Sequence, residues 1–136
     1  MKHPQSLDRY KICFWAAAAY NALWGTFASL FPATMFHWVG MKPPEYLWMF
    51  QCIGMMVGVY AIAYALIAID PVRYGALVWV GLIGKVLGPV GFLFNAIQGV
   101  IPWSFGWINV TNDLIWLPAF CLFTYRHWRL GGLRSE

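Results

Sequence analysis

One lysine poses the chemical problem of this sequence. Lys85 stands in Gly81-Leu-Ile-Gly-Lys-Val-Leu-Gly-Pro-Val-Gly-Phe92, among glycines and a proline, inside a long apolar segment. An ammonium held away from water is costly unless oxygens or an anion hold it. Asp113, the one acidic residue of the last apolar segment, is the carboxylate best placed to do so. Carboxamides recur in the other apolar segments: Asn21 in the first, Gln51 in the second, and Asn109 and Asn112 beside Asp113. A lysine, a carboxylate and carboxamides in apolar surroundings can pair ions, hold the polar end of a ligand, or pass a proton.

Other chemistries lack their residues. Cys13, Cys52 and Cys121 sit singly in apolar segments, with no C-x-x-C and no Cys/His cluster of metal-ligand spacing. That argues against disulfide exchange and against a zinc site, and the cysteines read as small buried hydrophobes. His3 and His127 lie in the polar ends and His37 in a connection, so no two histidines share a helix face. There is no phosphate loop, no Ser/His/Asp set and no carboxylate dyad. Gly81, Gly84, Gly88 and Gly91 follow a helix-packing rhythm and not a dinucleotide fingerprint.

The elements that position these groups follow from composition. Of 136 residues, 61% are apolar and 10% charged, and mean hydropathy is +0.60. Soluble domains carry about 25% charge, so a chain this apolar could not cover itself in water. Apolar runs over residues 10–31, 46–69, 74–97 and 105–125 are each long enough to span a bilayer as a helix. They predict an all-α, integral membrane four-helix bundle in a single domain, residues 1–136. The first run is too long and aromatic for a cleaved signal and reads as an uncleaved helix. Residues 32–45, punctuated by Pro32, Pro43 and Pro44, read as a connection along the interface.

An even number of spans places both termini on one side, together with the Asp70–Arg73 turn. That side carries Lys2, Arg9, Lys11, Arg73, Arg126, Arg129 and Arg134, the other only Lys42, so the positive-inside rule predicts an N-in/C-in topology in the inner (cytoplasmic) membrane. Tyr10, Tyr74, Tyr125 and Trp128 then form one aromatic belt, and Trp38, Trp48, Trp103 and Trp107 the other. The charge of +4 reflects this topology, and with no basic stripe there is no case for nucleic acid.

At about 1.5 Å per residue, Asn21, Lys85 and Asp113 come out near mid-membrane and Gln51 somewhat shallower. Each predicted helix thus contributes to one polar layer. Gly54 and Gly58 share a stripe with Gln51 in the G-x-x-x-G pattern of close helix contacts. Pro89 lacks an N–H and so deprives the Lys85 carbonyl of its helical partner; Pro118 does the same to Leu114. Those acceptors need partners inside the bundle.

Gly84-Lys-Val-Leu-Gly-Pro-Val-Gly-Phe92, Asn112-Asp-Leu-Ile-Trp116 and Asn21-Ala-Leu-Trp-Gly25 followed by Phe31-Pro32 resemble a family of small bacterial four-helix membrane proteins of the DoxX-like neighbourhood. The resemblance runs from about residue 20 to 120. It implies membrane redox surroundings and a quinone or lipid as ligand. The residues themselves supply no cofactor ligand set. The leading expectation is a non-enzymatic accessory subunit or lipophilic-ligand binder, in the bilayer, as a homo-oligomer or within a larger membrane complex. A small proton-coupled transporter or channel is the alternative, and a quinone-linked oxidoreductase subunit that borrows its cofactor is a third.

Overall fold

The computed structural model of the chain describes residues 5–132. Lys2, His3 and Arg134, which the sequence places at the solvated ends, lie outside them. Among the described residues the regular structure is helical, with no strand.

The described residues begin with α1 (Gln5–Asp8), whose Leu7 is fully buried in a stretch that composition reads as polar. Then comes α2 (Lys11–Leu30), Ala-rich and well suited to helix. It stops before Pro32, and Phe31 takes φ −127°, ψ 54°, as the residue before a proline must leave the helical region. The 32–45 connection holds a short helix, α3 (Thr34–Trp38). Gly40 ends it at φ 74°, with Met41 N–H donating to the Phe36 carbonyl at 2.8 Å, a left-handed closure that favours glycine.

Next, α4 (Leu47–Ile69) runs to Asp70, whose carboxylate accepts the Val72 and Arg73 amides at 3.1 and 3.0 Å and so forms the turn. A 3-10 turn, Gly75–Leu77, leads into α5 (Val78–Ile97). Two helices are long and apolar enough to cross a membrane, Leu47–Ile69 and Gly75–Ile97. Most of each is left uncovered by the rest of the chain.

The last segment departs from the continuous 105–125 helix that the sequence predicts. It consists of a 3-10 turn (Trp103–Phe105), α6 (Gly106–Asn109), a π-helical turn (Val110–Leu114) and α7 (Leu117–Gly132). Pro118 is the reason for the second start: it stands in the first turn of α7, where an amide has no intrahelical partner and a missing N–H does no harm.

The α2–α4 pair packs most closely, while α5 rests chiefly on α6, the π turn and α7. Gly25 makes the first contact possible: a methyl there would lie 2.6 Å from the Gly54 carbonyl oxygen and 2.6 Å from the Gly58 nitrogen. The aromatic core joins α2, α4 and α7 through Phe14, Tyr64, Phe120 and Phe123, with Phe14 and Phe123 centroids 4.7 Å apart edge to face. The outer faces of α4 and α5 are inverted relative to a soluble protein. Met55, Met56, Val59, Ile62, Leu87 and Phe94 are all exposed, a continuous apolar exterior that water would penalise.

Candidate functional site

The π turn creates the site. In an α-helix the Asn112 carbonyl would accept the amide of Trp116, but here that amide bonds the Asp113 carbonyl at 3.1 Å and the Ile115 amide reaches back five residues to Val110 at 3.1 Å. The neighbouring Thr111 carbonyl accepts the Trp116 indole N–H at 3.1 Å. The Asn112 carbonyl is left to a side chain, and that side chain is Lys85, whose Nζ donates to it at 2.6 Å.

Lys85 is 4% exposed. Asp113 Oδ1 lies 3.9 Å from its Nζ, at the outer limit of an ion pair. The rings of Phe120, Tyr64 and Trp116 stand 5.7, 5.8 and 6.0 Å from the ammonium and complete its surroundings with their negative faces. The charge is therefore held by one short bond, one long ionic contact and three aromatic rings.

Gly88 admits the carboxylate. A methyl at Gly88 would lie 2.6 Å from Asp113 Oδ2 and 3.6 Å from Asn109 Oδ1, so both acceptors lean against bare α5 backbone. Asn112 Oδ1 is buried without a hydrogen-bond partner, an unmet acceptor beside the ion pair. One turn away, α5 and the Trp103–Leu114 stretch border an open cleft of about 330 Å³. Its walls are Pro89, Phe92, Trp103, Trp107 and Leu114, and its polar contribution is Asn109.

Lys85, Asp113, Asn112 and Asn109 thus come together, and the other polar groups do not join them. Asn21 is buried, but its amide N–H is spent on the Ala17 carbonyl of its own helix at 2.8 Å. Gln51 donates to the Ser29 carbonyl at 2.9 Å, and the Ser29 hydroxyl donates to the Gly25 carbonyl at 2.7 Å. The single polar layer expected from depth is in fact two contacts, one on α5 and the π turn, the other between α2 and α4. Depth along a helix does not fix facing, which is why counting residues merged them.

The glycines divide likewise. Gly25 meets the backbone of Gly54 and Gly58, Gly54 meets Ser29, Gly81 meets the Tyr64 hydroxyl, and Gly88 meets Asp113, while a methyl at Gly58 would itself meet nothing. Gly84 has only an ordinary contact with Tyr60, and Gly91 faces open space. Cys52 and Cys121 are exposed on outer faces and not buried as their apolar neighbours suggest. His37 is exposed, and His127 bonds the Val72 carbonyl at 3.2 Å. Among the described residues no three His, Cys, Asp or Glu side chains gather as metal ligands.

Sequence reasoning passed over Gly25, Ser29, Tyr64 and Phe120. The first two carried a signal: Gly25-x-x-x-Ser29 on α2 is the small-residue complement of Gly54-x-x-x-Gly58 on α4. The two rings carried none, since an aromatic in an apolar run looks alike whether it meets lipid or an ammonium.

No protein-family model, no curated protein and no solved structure matches this chain.

Proposed function

We propose that the chain is a four-helix membrane protein, N-in/C-in, that binds a lipophilic molecule with a polar end between α5 and the Trp103–Leu114 stretch. The observation that carries this reading is the cleft of about 330 Å³ with apolar walls, in which Asn109 sits beside the Asp113 carboxylate against Gly88. A hydrocarbon body matches the walls, and a hydroxyl or amide end matches acceptors that nothing in the chain satisfies fully. The exposed apolar exterior of α4 and α5 and the two long apolar helices support placement in a bilayer. The α2 helix and the broken last segment complete the four spans. Membership of the DoxX-like neighbourhood, and with it the bacterial inner membrane, belongs to the same proposal.

The residues at the cleft include no nucleophile and no redox pair, so the role is binding, as an accessory subunit or ligand carrier. A proton-coupled transporter has less support, because the Lys85 ammonium is already fixed by the Asn112 carbonyl and shut in by rings.

Solvent extraction of detergent-purified protein, followed by mass spectrometry, tests the reading. Wild type is expected to carry a lipophilic molecule that Val110→Trp, which fills the cleft, loses while keeping its helical circular dichroism. Turnover of a quinone or peroxide by the purified protein alone would contradict a binding role.

A further inference from the structure

We propose that a second cleft, between the start of α5 and the end of α7, binds one anionic phospholipid. This inference rests on placement of the chain in a membrane, but not on the identity of the ligand near Asn109. The cleft measures about 430 Å³ and is walled by Trp79 and Leu82 of α5 and by Cys121, Thr124, Tyr125 and Trp128 of α7. The α7 residues recur at the spacing of one helix face. Thr124 spends its hydroxyl on the Phe120 carbonyl at 2.7 Å, so the inner wall offers hydrocarbon contact only.

The rim carries one arginine. Arg129 Nη1 donates to the Tyr125 hydroxyl at 3.4 Å and its guanidinium lies 5.7 Å from that ring's centroid. The hydroxyl, accepting there, keeps its own hydrogen to donate. Two further arginines lie at the same end of the molecule: Arg73 over Tyr74 at 5.2 Å, and Arg126 over Tyr10 at 5.6 Å, on the side of α7 turned away from the cleft. The bond from His127 to the Val72 carbonyl ties α7 to the α4–α5 turn and gathers these arginines at one end of the molecule.

The described carboxylates at this end form no salt bridge with an arginine. Asp8 pairs with Lys11 at 2.9 Å, and Asp70 accepts two backbone amides. Among the described residues no arginine forms a salt bridge. An apolar slot beside Arg129, which forms no salt bridge among the described residues, and a tyrosine hydroxyl fits a phosphate at Arg129 and Tyr125 with an acyl chain descending past Trp79 and Leu82. Cys121 lies about 6 Å below Tyr125 along α7, the depth of the first methylenes. A zwitterionic lipid would bring its own ammonium against Arg129, so the fit selects a headgroup with net negative charge.

Native mass spectrometry of the full chain with equimolar phosphatidylglycerol and phosphatidylcholine tests this. Wild type should retain one phosphatidylglycerol in preference, and Arg129→Gln should lower that retention about fivefold, the effect of one surface arginine. Trp128→Ala, at an exposed position, should lower it too, whereas Ile62→Trp on the outer face of α4 should not. Equal retention of the two lipids by wild type, or unchanged retention in both cleft variants, overturns the inference. Wild type that stays in the aqueous phase when membranes are sedimented overturns the membrane reading with it; membrane-bound protein without lipid preference overturns this inference alone.

Discussion

Lys85 Nζ sits 2.6 Å from the Asn112 carbonyl oxygen and 3.9 Å from the nearest oxygen of Asp113. The closest partner of the buried charge is thus the main chain, made available by a π turn, and the carboxylate is its second partner. A sequence names the acid and the base; which backbone oxygen comes free depends on where the helix ladder slips.

This ranking of partners sets the cost of removing each. Lys85→Met leaves the Asp113 side chain, 14% exposed, without its cation and the Asn112 carbonyl without its donor. The expected loss is about 3–5 kcal/mol, the usual cost of stranding one member of a buried pair. Asp113→Asn leaves Lys85 its carbonyl and its rings and should cost less, and the double variant should recover part of the Lys85→Met loss because no buried charge remains. Unfolding by dodecyl sulfate, followed by circular dichroism, measures all three. Equal losses from the two single changes would contradict the ranking.

The glycines should separate by what each faces. Gly25→Ala sets a methyl against two backbone atoms of α4, which cannot swing aside, and should cost about 1–3 kcal/mol. Gly88→Ala meets the tip of Asp113, which can turn away, so its stability loss should be smaller while the bound lipophilic molecule is lost. Gly91→Ala meets open space and should stabilise α5 by about 0.5–1 kcal/mol, through backbone entropy alone. The same unfolding assay ranks them, and a Gly91→Ala loss as large as that of Gly25→Ala would show α5 packed differently.

Topology can be read with reporter fusions. Alkaline phosphatase joined after Arg73 or at the C-terminus should be inactive, and joined after Lys42 or Val100 it should be active. An active C-terminal fusion would contradict the N-in/C-in topology.

Much of the fold was legible because bilayer-length apolar runs leave few choices. The runs at 46–69 and 74–97 form helices within a residue of their expected bounds. The last run misled because Pro118 reads equally as a kink within a helix or as the first turn of a new one, and its neighbours chose the second. The pairing of Lys85 with the Asp113 region was legible from charge alone, since a lysine set in apolar runs has few partners. That Gln51 belongs with Ser29 was not, because helical phase errors accumulate over a long apolar stretch that contains few polar markers.

The most direct test of the site is a nitrogen–carbon distance measured by solid-state NMR in bilayers, with 15N at lysine Nζ and 13C at either asparagine carbonyls or aspartate carboxyls. A Lys85 signal dephased more strongly by the Asn112 carbonyl than by the Asp113 carboxyl is the result expected. A shorter distance to the Asp113 carboxyl, with no measurable coupling to Asn112, would contradict a lysine held by the π turn.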